Sequence, residues 1–137
     1  MIENRVLDLV VDSNIPFAYV LKFQDVTLGF NGEVAEEVDI DITGATFKGS
    51  IKTGLDASST KITDFDAKVV TPKLGIASVS LSKEKVSLLE KAASTDRDKY
   101  NQRLRFVGFY DILMTMPNKQ PVRILEGKVY INDGVTI

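Results

Sequence analysis

The sequence predicts a mainly β protein: an antiparallel β-sandwich, immunoglobulin-like or jelly-roll-like, with one short helix near residues 83–93. Apolar and polar residues alternate in many short segments, as expected for strands with one buried and one solvated face. Gly, Pro and Asn residues that favour turns separate these segments, which is typical of sandwiches and barrels. The chain has 137 residues, the size of one domain, so we expect a single sandwich domain over residues 1–137.

Alternation with a period of two defines the predicted strands. They cover residues 7–11, 17–23, 46–52, 65–69, 76–81, 104–114 and 122–131. In the long strand over 104–114 we expect five large side chains to share one face, namely Leu104, Phe106, Tyr110, Ile112 and Met114. Gly49 and Gly127 lie inside strands, where glycine usually marks a bulge or the close approach of another backbone.

Turn signals occupy the connections between these strands. Residues 31–37 begin with Asn-Gly and are expected to form an acidic turn, and residues 54–61 an exposed loop. The segments 72–75 and 117–120 each start with proline and separate two strands, so we expect each to form a turn between strands.

The helix follows the strand over 76–81. Ser82 can cap its N-terminus, and residues 83–93 are mostly good helix formers. Apolar residues at spacings of three and four form one face, which we expect to cover one end of the sandwich: Val86, Leu89 and Ala93. The polar residues 94–102 that follow are expected to form a mobile surface loop.

The residue types that are absent exclude many functions. The chain has no Cys, no His and no Trp. Disulfides, thiolate zinc sites, cysteine nucleophiles and Ser-His-Asp triads are therefore excluded. We expect a protein that is not an enzyme and that has no catalytic, cofactor-binding or metal-binding residues.

Charge and hydropathy bear on partners and location. The formal net charge is −2 and the pI is about 5.2, so we expect no nucleic-acid partner. No apolar run approaches the ~20 residues of a membrane helix, so we expect no membrane partner. Glu3 and Asp8 interrupt the N-terminal apolar residues, which predicts a protein made in the cytoplasm and not secreted.

The best metal candidate is the segment Asp39 to Gly44. Its Asp, Asp, Thr and Gly residues are spaced like the first half of an EF-hand calcium loop. The position that requires a bidentate Glu is Ser50, and the flanking pattern is that of strands. We therefore interpret Asp39 and Asp41 as strand residues on the solvent face, alternating with inward isoleucines, and leave weak calcium binding open.

Other constellations favour ordinary structural roles. Residues 44–50 have the glycine spacing of a phosphate-binding loop but lack its lysine and its helix. Glu36 and Glu37 lie in the acidic turn without an apolar pocket to shift a pKa, and residues 58–60 lack an activating base.

Basic residues surround aromatic ones near residue 100, a pattern that can bind single-stranded nucleic acid. The residues are Arg97, Lys99, Tyr100, Arg103, Arg105 and Phe106. Asp96 and Asp98 lie in the same stretch of an acidic chain, so a solvated loop leading into a strand is the better interpretation. Asp111 and Arg123 lie on strands expected to pair in one hairpin, which predicts a cross-strand ion pair.

The order of several short motifs resembles a known family. The motifs are Asp41-Ile42-Thr43-Gly44, Phe47 to Lys52, Phe65 to Val69, Val79 to Ser82, Tyr110 to Met114, Val122 to Ile131 and Gly134 to Ile137. This order resembles the small β-sandwich domain at the N-terminus of the baseplate upper protein family of tailed bacteriophages. With Asp12 to Phe23 compared to that family's first long strand, the resemblance covers nearly the whole chain.

The resemblance implies a bacteriophage virion structural protein. It would be a docking or assembly module of the tail, baseplate or neck, made in the host cytoplasm. It would contact other virion proteins and form homo-oligomers in the particle. Two alternatives remain open: a head-decorating (cement) protein of the capsid, and a carbohydrate- or ligand-binding sandwich module.

Three polar loops are candidate contact regions, because loops on a rigid scaffold commonly carry binding. They are residues 29–37, 54–61 and 94–103. Deletion of residues 95–101 is expected to leave the fold intact and to weaken assembly.

Overall fold

Eleven strands and one α-helix form over the part of the chain that the computed structural model describes. That part is residues 2–135, with only the backbone described at Val34 and Ala35; Thr136 and Ile137 of the predicted closing motif lie outside it. The strands are β1 (Arg5–Val6), β2 (Leu9–Asp12), β3 (Phe17–Lys22), β4 (Gln24–Leu28), β5 (Val34–Asp39), β6 (Thr46–Lys52), β7 (Lys61–Asp64), β8 (Asp66–Thr71), β9 (Ile76–Leu81), β10 (Leu104–Thr115) and β11 (Val122–Asn132). The helix is α1 (Lys83–Ala92).

The first sheet is built around β10 and β11. Its strand order is β1–β11–β10–β6–β7, and β2 also pairs with β11. The pairs β10–β11, β10–β6 and β6–β7 are antiparallel, as the sequence predicts. The N-terminal strands β1 and β2 instead run parallel to β11, a direction that alternation cannot specify because it reports only which side chains are buried.

The second sheet is smaller and shares one hydrophobic core with the first. It has three antiparallel strands in the order β3–β9–β8. The fully buried side chains of the core come from both sheets: Val11, Ile51, Val79, Leu81, Ile112, Met114, Val129 and Ile131. The two sheets and their common core confirm the predicted β-sandwich with one short helix.

The helix begins where the sequence predicts. The Ser82 side chain accepts a hydrogen bond from the Lys85 backbone N–H at 3.3 Å, which caps the first turn. Val86 and Leu89 are fully buried, and α1 contacts β7, β9 and β10. Within the described residues, no helix is long and apolar enough to cross a membrane.

The predicted face of β10 is correct in its second half and wrong in its first. Tyr110, Ile112 and Met114 are buried together, as expected. A bulge between Phe106 and Gly108 adds one residue to the strand and reverses the alternation before it. Val107 is therefore buried, while the ring of Phe106 contacts the rings of Phe109 and Tyr130 instead.

A two-stranded ribbon of β4 and β5 replaces the predicted acidic turn over residues 31–37. The turn itself covers residues 29–33, where Gly29 N–H donates to the Glu33 carbonyl at 2.6 Å. Glu36 and Glu37 lie on β5 rather than in a turn. Short β7 was also missed. The other turns are confirmed: the 3-10 turn Pro72–Leu74 with Gly75 joins β8 to β9, and residues 116–121 join β10 to β11.

Gly127 allows the N-terminal segment to lie against β11. A Cβ atom at this position would lie 2.2 Å from the Leu7 carbonyl oxygen, so only glycine fits. Leu7 N–H donates to the Glu126 carbonyl at 2.8 Å, and the Asp8 carboxylate accepts the Lys128 N–H at 3.0 Å. The close backbone approach predicted at Gly127 is confirmed. A Cβ atom at Gly49 would instead lie nearest to two side chains, those of Ile112 and Phe65, each at 3.0 Å.

Gly127→Ala is expected to detach the N-terminal strands, because the new methyl group must displace the Leu7 carbonyl. The free energy of unfolding should fall by about 1–3 kcal/mol, the usual cost of forcing an extra methyl group into a packed site. Hydrogen exchange should become faster at the amides of Leu7 and β2. Gly134→Ala is the control: nothing lies within 4 Å of its Cβ position, so it adds only the strain of a left-handed φ of 65° and should leave exchange at Leu7 unchanged. Unchanged exchange at Leu7 in the Gly127 variant would contradict this account.

Candidate interaction surfaces

The predicted calcium ligands Asp39 and Asp41 are engaged in local contacts. The Asp39 carboxylate accepts a hydrogen bond from Gln24 Nε2 at 3.1 Å and lies 3.5 Å from Lys22 Nζ. The Asp41 carboxylate accepts from the Thr43 N–H at 2.9 Å and from Thr43 Oγ1 at 2.5 Å. These hydrogen bonds, from Gln24 and Thr43 respectively, hold the pKa of each carboxyl below its ordinary value.

The strand interpretation of residues 39–42 needs a correction. Asp39 ends β5, but Asp41 lies in an Asx turn, because its carboxylate bonds two residues ahead. Ile42 is fully buried, as the alternation predicts. Among the residues that the structure describes, no three His, Cys, Asp or Glu side chains lie close enough together to hold a metal ion.

The other chemical candidates also lie in ordinary structural settings. Residues 46–52 of the glycine-spaced segment form strand β6 and not a phosphate-binding loop. Glu36 and Glu37 are adjacent on β5 and are both exposed. Residues 58–60 lie in the exposed connection between β6 and β7.

An aspartate holds the basic segment near residue 100. Arg105 donates two hydrogen bonds to the Asp133 carboxylate, from Nε at 2.8 Å and from Nη2 at 2.9 Å. Arg97 donates to the same carboxylate. The Arg105 guanidinium, and then that of Arg97, hold the pKa of Asp133 below its ordinary value. Two of the four basic residues considered for nucleic-acid binding are therefore used in an internal cluster.

The loop over residues 94–102 is attached more firmly than its polar composition predicts. Ser94 N–H donates to the Phe106 carbonyl at 2.7 Å, and Asp98 N–H donates to the Leu104 carbonyl at 2.8 Å. Tyr100 is exposed at the surface of this segment, with Lys99 Nζ 5.5 Å from its ring centre. The composition could not show these bonds, because their acceptors lie on β10.

The outer face of the first sheet carries a cleft of about 590 Å³. On this face Phe109 lies between two lysines, because the strand register pairs it with Lys52 on β6 and Lys128 on β11. Arg123 lines the cleft and contacts Asp111 at 3.1 Å, so the predicted cross-strand ion pair is confirmed. Apolar side chains at the cleft are Phe109, Val6 and Leu55, and the last two are mostly exposed.

The ribbon β4–β5, hereafter the arm (residues 24–39), is the second surface. Phe30 at its turn is fully exposed, and Leu28 is 62% exposed. The sequence predicts residues 29–37 as a contact region, but the two strands of the arm were not predicted. Val26, Thr27 and Leu28 alternate before Asn31-Gly32, which is a hairpin signal that could have revealed them.

The fold and these surfaces can be compared with known proteins. The model of the LtfC-like, beta-sandwich domain family matches residues 3–132. The chain belongs to the LtfC-like family. No curated protein matches the chain.

Membership in the LtfC-like family supports a β-sandwich of phage type and suggests a phage-associated structural module. The more specific resemblance to the baseplate upper protein family stays a prediction. The match covers both the cleft and the arm, since it spans β1 to β11.

Asp133→Asn is expected to lower the free energy of unfolding at pH 7 by about 1–2 kcal/mol, because two arginines lose an ionised acceptor. The folded-state pKa of Asp133 is lowered, so its contribution exists above the ordinary carboxyl pKa of about 3.9. That contribution is lost as the pH falls through the folded value. Chemical unfolding should therefore show the difference in free energy of unfolding between the original protein and Asp133→Asn narrowing as the pH falls below about 5.

Asp96→Asn in the same segment serves as the control for this measurement. The described hydrogen bonds and ion pairs give the Asp96 carboxylate no partner, so the variant should have the same free energy of unfolding as the original protein at pH 7. A stability difference for Asp133→Asn that stays constant down to pH 2 would show that the loss is not electrostatic.

Proposed function

We propose that this protein is a non-enzymatic structural module of a bacteriophage virion that docks in the tail, baseplate or neck. Family membership supports the phage association. The observation that carries a docking role is the arm, whose apolar residues the fold itself leaves exposed: Val26, Leu28, Phe30 and Val38. Exposed apolar groups of this kind on a rigid scaffold are typical of protein–protein contacts.

The absence of His and Cys supports a passive role, because the commonest general base and thiol nucleophile are unavailable. The described carboxylates with lowered pKa values take part in structural hydrogen bonds: Asp39, Asp41, Asp64 and Asp133. A rigid sandwich that presents an arm and a cleft needs no chemistry to assemble. Its partners would be other virion proteins, and its location the virion.

Quantitative mass spectrometry of purified particles, scaled to the major capsid protein, tests this proposal. We expect a low copy number, as one ring in the tail, baseplate or neck would give. A copy number close to that of the capsid protein would instead identify a head-decorating protein. Absence from the particle would overturn the virion role.

The cleft favours a second candidate function, a carbohydrate- or ligand-binding module. It combines an aromatic ring, Phe109, with charged groups that can hydrogen-bond, Asp111 and Arg123. Binding on a glycan array that is lost in Phe109→Ala would support this function. The absence of any glycan signal would contradict this function, and a signal that persists in Phe109→Ala would show that the binding site lies outside the cleft.

A further inference from the structure

The arm exposes apolar side chains on a ribbon of only two strands. Phe30 is fully exposed, while Val26 and Val38 are each about half exposed. Two-stranded hairpins are marginally stable in water unless another element packs against them. The arm therefore has the physical properties of an element that is completed by a contact.

One face of the arm combines apolar and acidic groups. Val26 on β4 lies directly opposite Glu37 on β5, so the two side chains share a face. Leu28 lies two residues beyond Val26 on the same face. Phe30 and Glu33 follow at the turn, where both are exposed. This face offers a partner an apolar stripe with carboxylates beside it.

Charge is divided unevenly between the arm and the rest of the chain. The arm holds five of the 19 acidic residues and none of the 17 basic ones. The remaining chain therefore has 17 basic against 14 acidic residues, a formal charge of +3, while the arm carries −5. A surface outside the arm with exposed apolar and basic groups would complement it.

The cleft on the first sheet provides such a surface. Lys52 and Lys128 flank Phe109, and none of the ion pairs found in the described residues uses either lysine. Leu55, 82% exposed, adds an apolar group at the same cleft. The cleft carboxylates of Asp111 and Glu126 contact Arg123, and that of Asp8 accepts the Lys128 backbone N–H. The ammonium groups of Lys52 and Lys128 are therefore available to form ion pairs with an acidic partner.

We propose that the arm of one copy docks into this cleft on a second copy of the same chain. Phe30 would lie against Phe109 and Leu55, and Glu33 and Glu37 would face Lys52 and Lys128. This inference rests on the proposed assembly role and names the partner for it. Because the arm and the cleft are different surfaces, the contact is heterologous and generates a ring or an open chain.

Sedimentation velocity of the full chain over a range of concentrations tests the proposal. We expect self-association that weakens as salt is raised, because the contact includes exposed charges. Phe30→Asp should weaken association roughly 30-fold or more, the loss typical of an aromatic hot spot. The double variant Lys52→Glu with Lys128→Glu should weaken association to a similar extent. Val20→Asp is the control, since Val20 is an exposed apolar residue (66%) on β3, outside the arm, the cleft and the loop over residues 94–103.

A mixture of the two defective variants gives a sharper test. The Phe30 variant keeps an intact cleft and the lysine variant keeps an intact arm, so together they should form a dimer that grows no further. Unfolded variants could not form this dimer, so it also shows that both are folded. A monomeric original protein at all concentrations, no dimer in the mixture, or a loss caused by Val20→Asp would overturn the proposal.

The outcomes separate this inference from the proposed function. Association through the arm by a protein that is absent from virions would support the contact and reject the virion role. If the protein is present in virions but stays monomeric in solution, the virion role is supported and the contact between copies through the arm is overturned.

Discussion

The pairing of β10 with β11 supports every other part of the first sheet. β10 pairs with β11 on one side and with β6 on the other, and β11 in turn pairs with both N-terminal strands. The buried sides of β10 and β11 supply much of the core, including Ile112, Met114 and Val129. The opposite sides supply the cleft. One hairpin thus determines both what is buried and what is offered to a partner.

Close backbone approach is the second constraint on this sheet. Gly108 on β10 faces the Lys52 carbonyl and Gly127 on β11 faces that of Leu7, so a Cβ at either position would lie within 2.2 Å of a carbonyl oxygen. Both glycines lie beside the row that contains Phe109 and Lys128. The strand register that brings these backbone segments together also places Phe109 between Lys52 and Lys128.

Much of the fold could be predicted from alternation, but direction and local shifts could not. The strands around Ile51, Val79 and Ile112 were predicted because their side chains obey a strict period of two. The parallel pairing of β1 and β2 was missed, since burial patterns carry no information on strand direction. The bulge at Val107 was missed, although Gly108 beside it is the residue type that often marks a bulge inside a strand. The arm was missed because the alternation before its Asn-Gly turn is not repeated after the turn, where residues 34–39 do not alternate between apolar and polar.

The sequence by itself determined the sandwich class, the cap at Ser82, the ion pair of Asp111 with Arg123 and the absence of thiol and imidazole chemistry. These depend on residue identity and on contacts within one element or one hairpin. Only the tertiary structure decided that Arg97 and Arg105 meet Asp133, and that Lys52 and Lys128 flank Phe109. Those side chains come from segments far apart in the chain, and their proximity is a property of strand register rather than of local sequence.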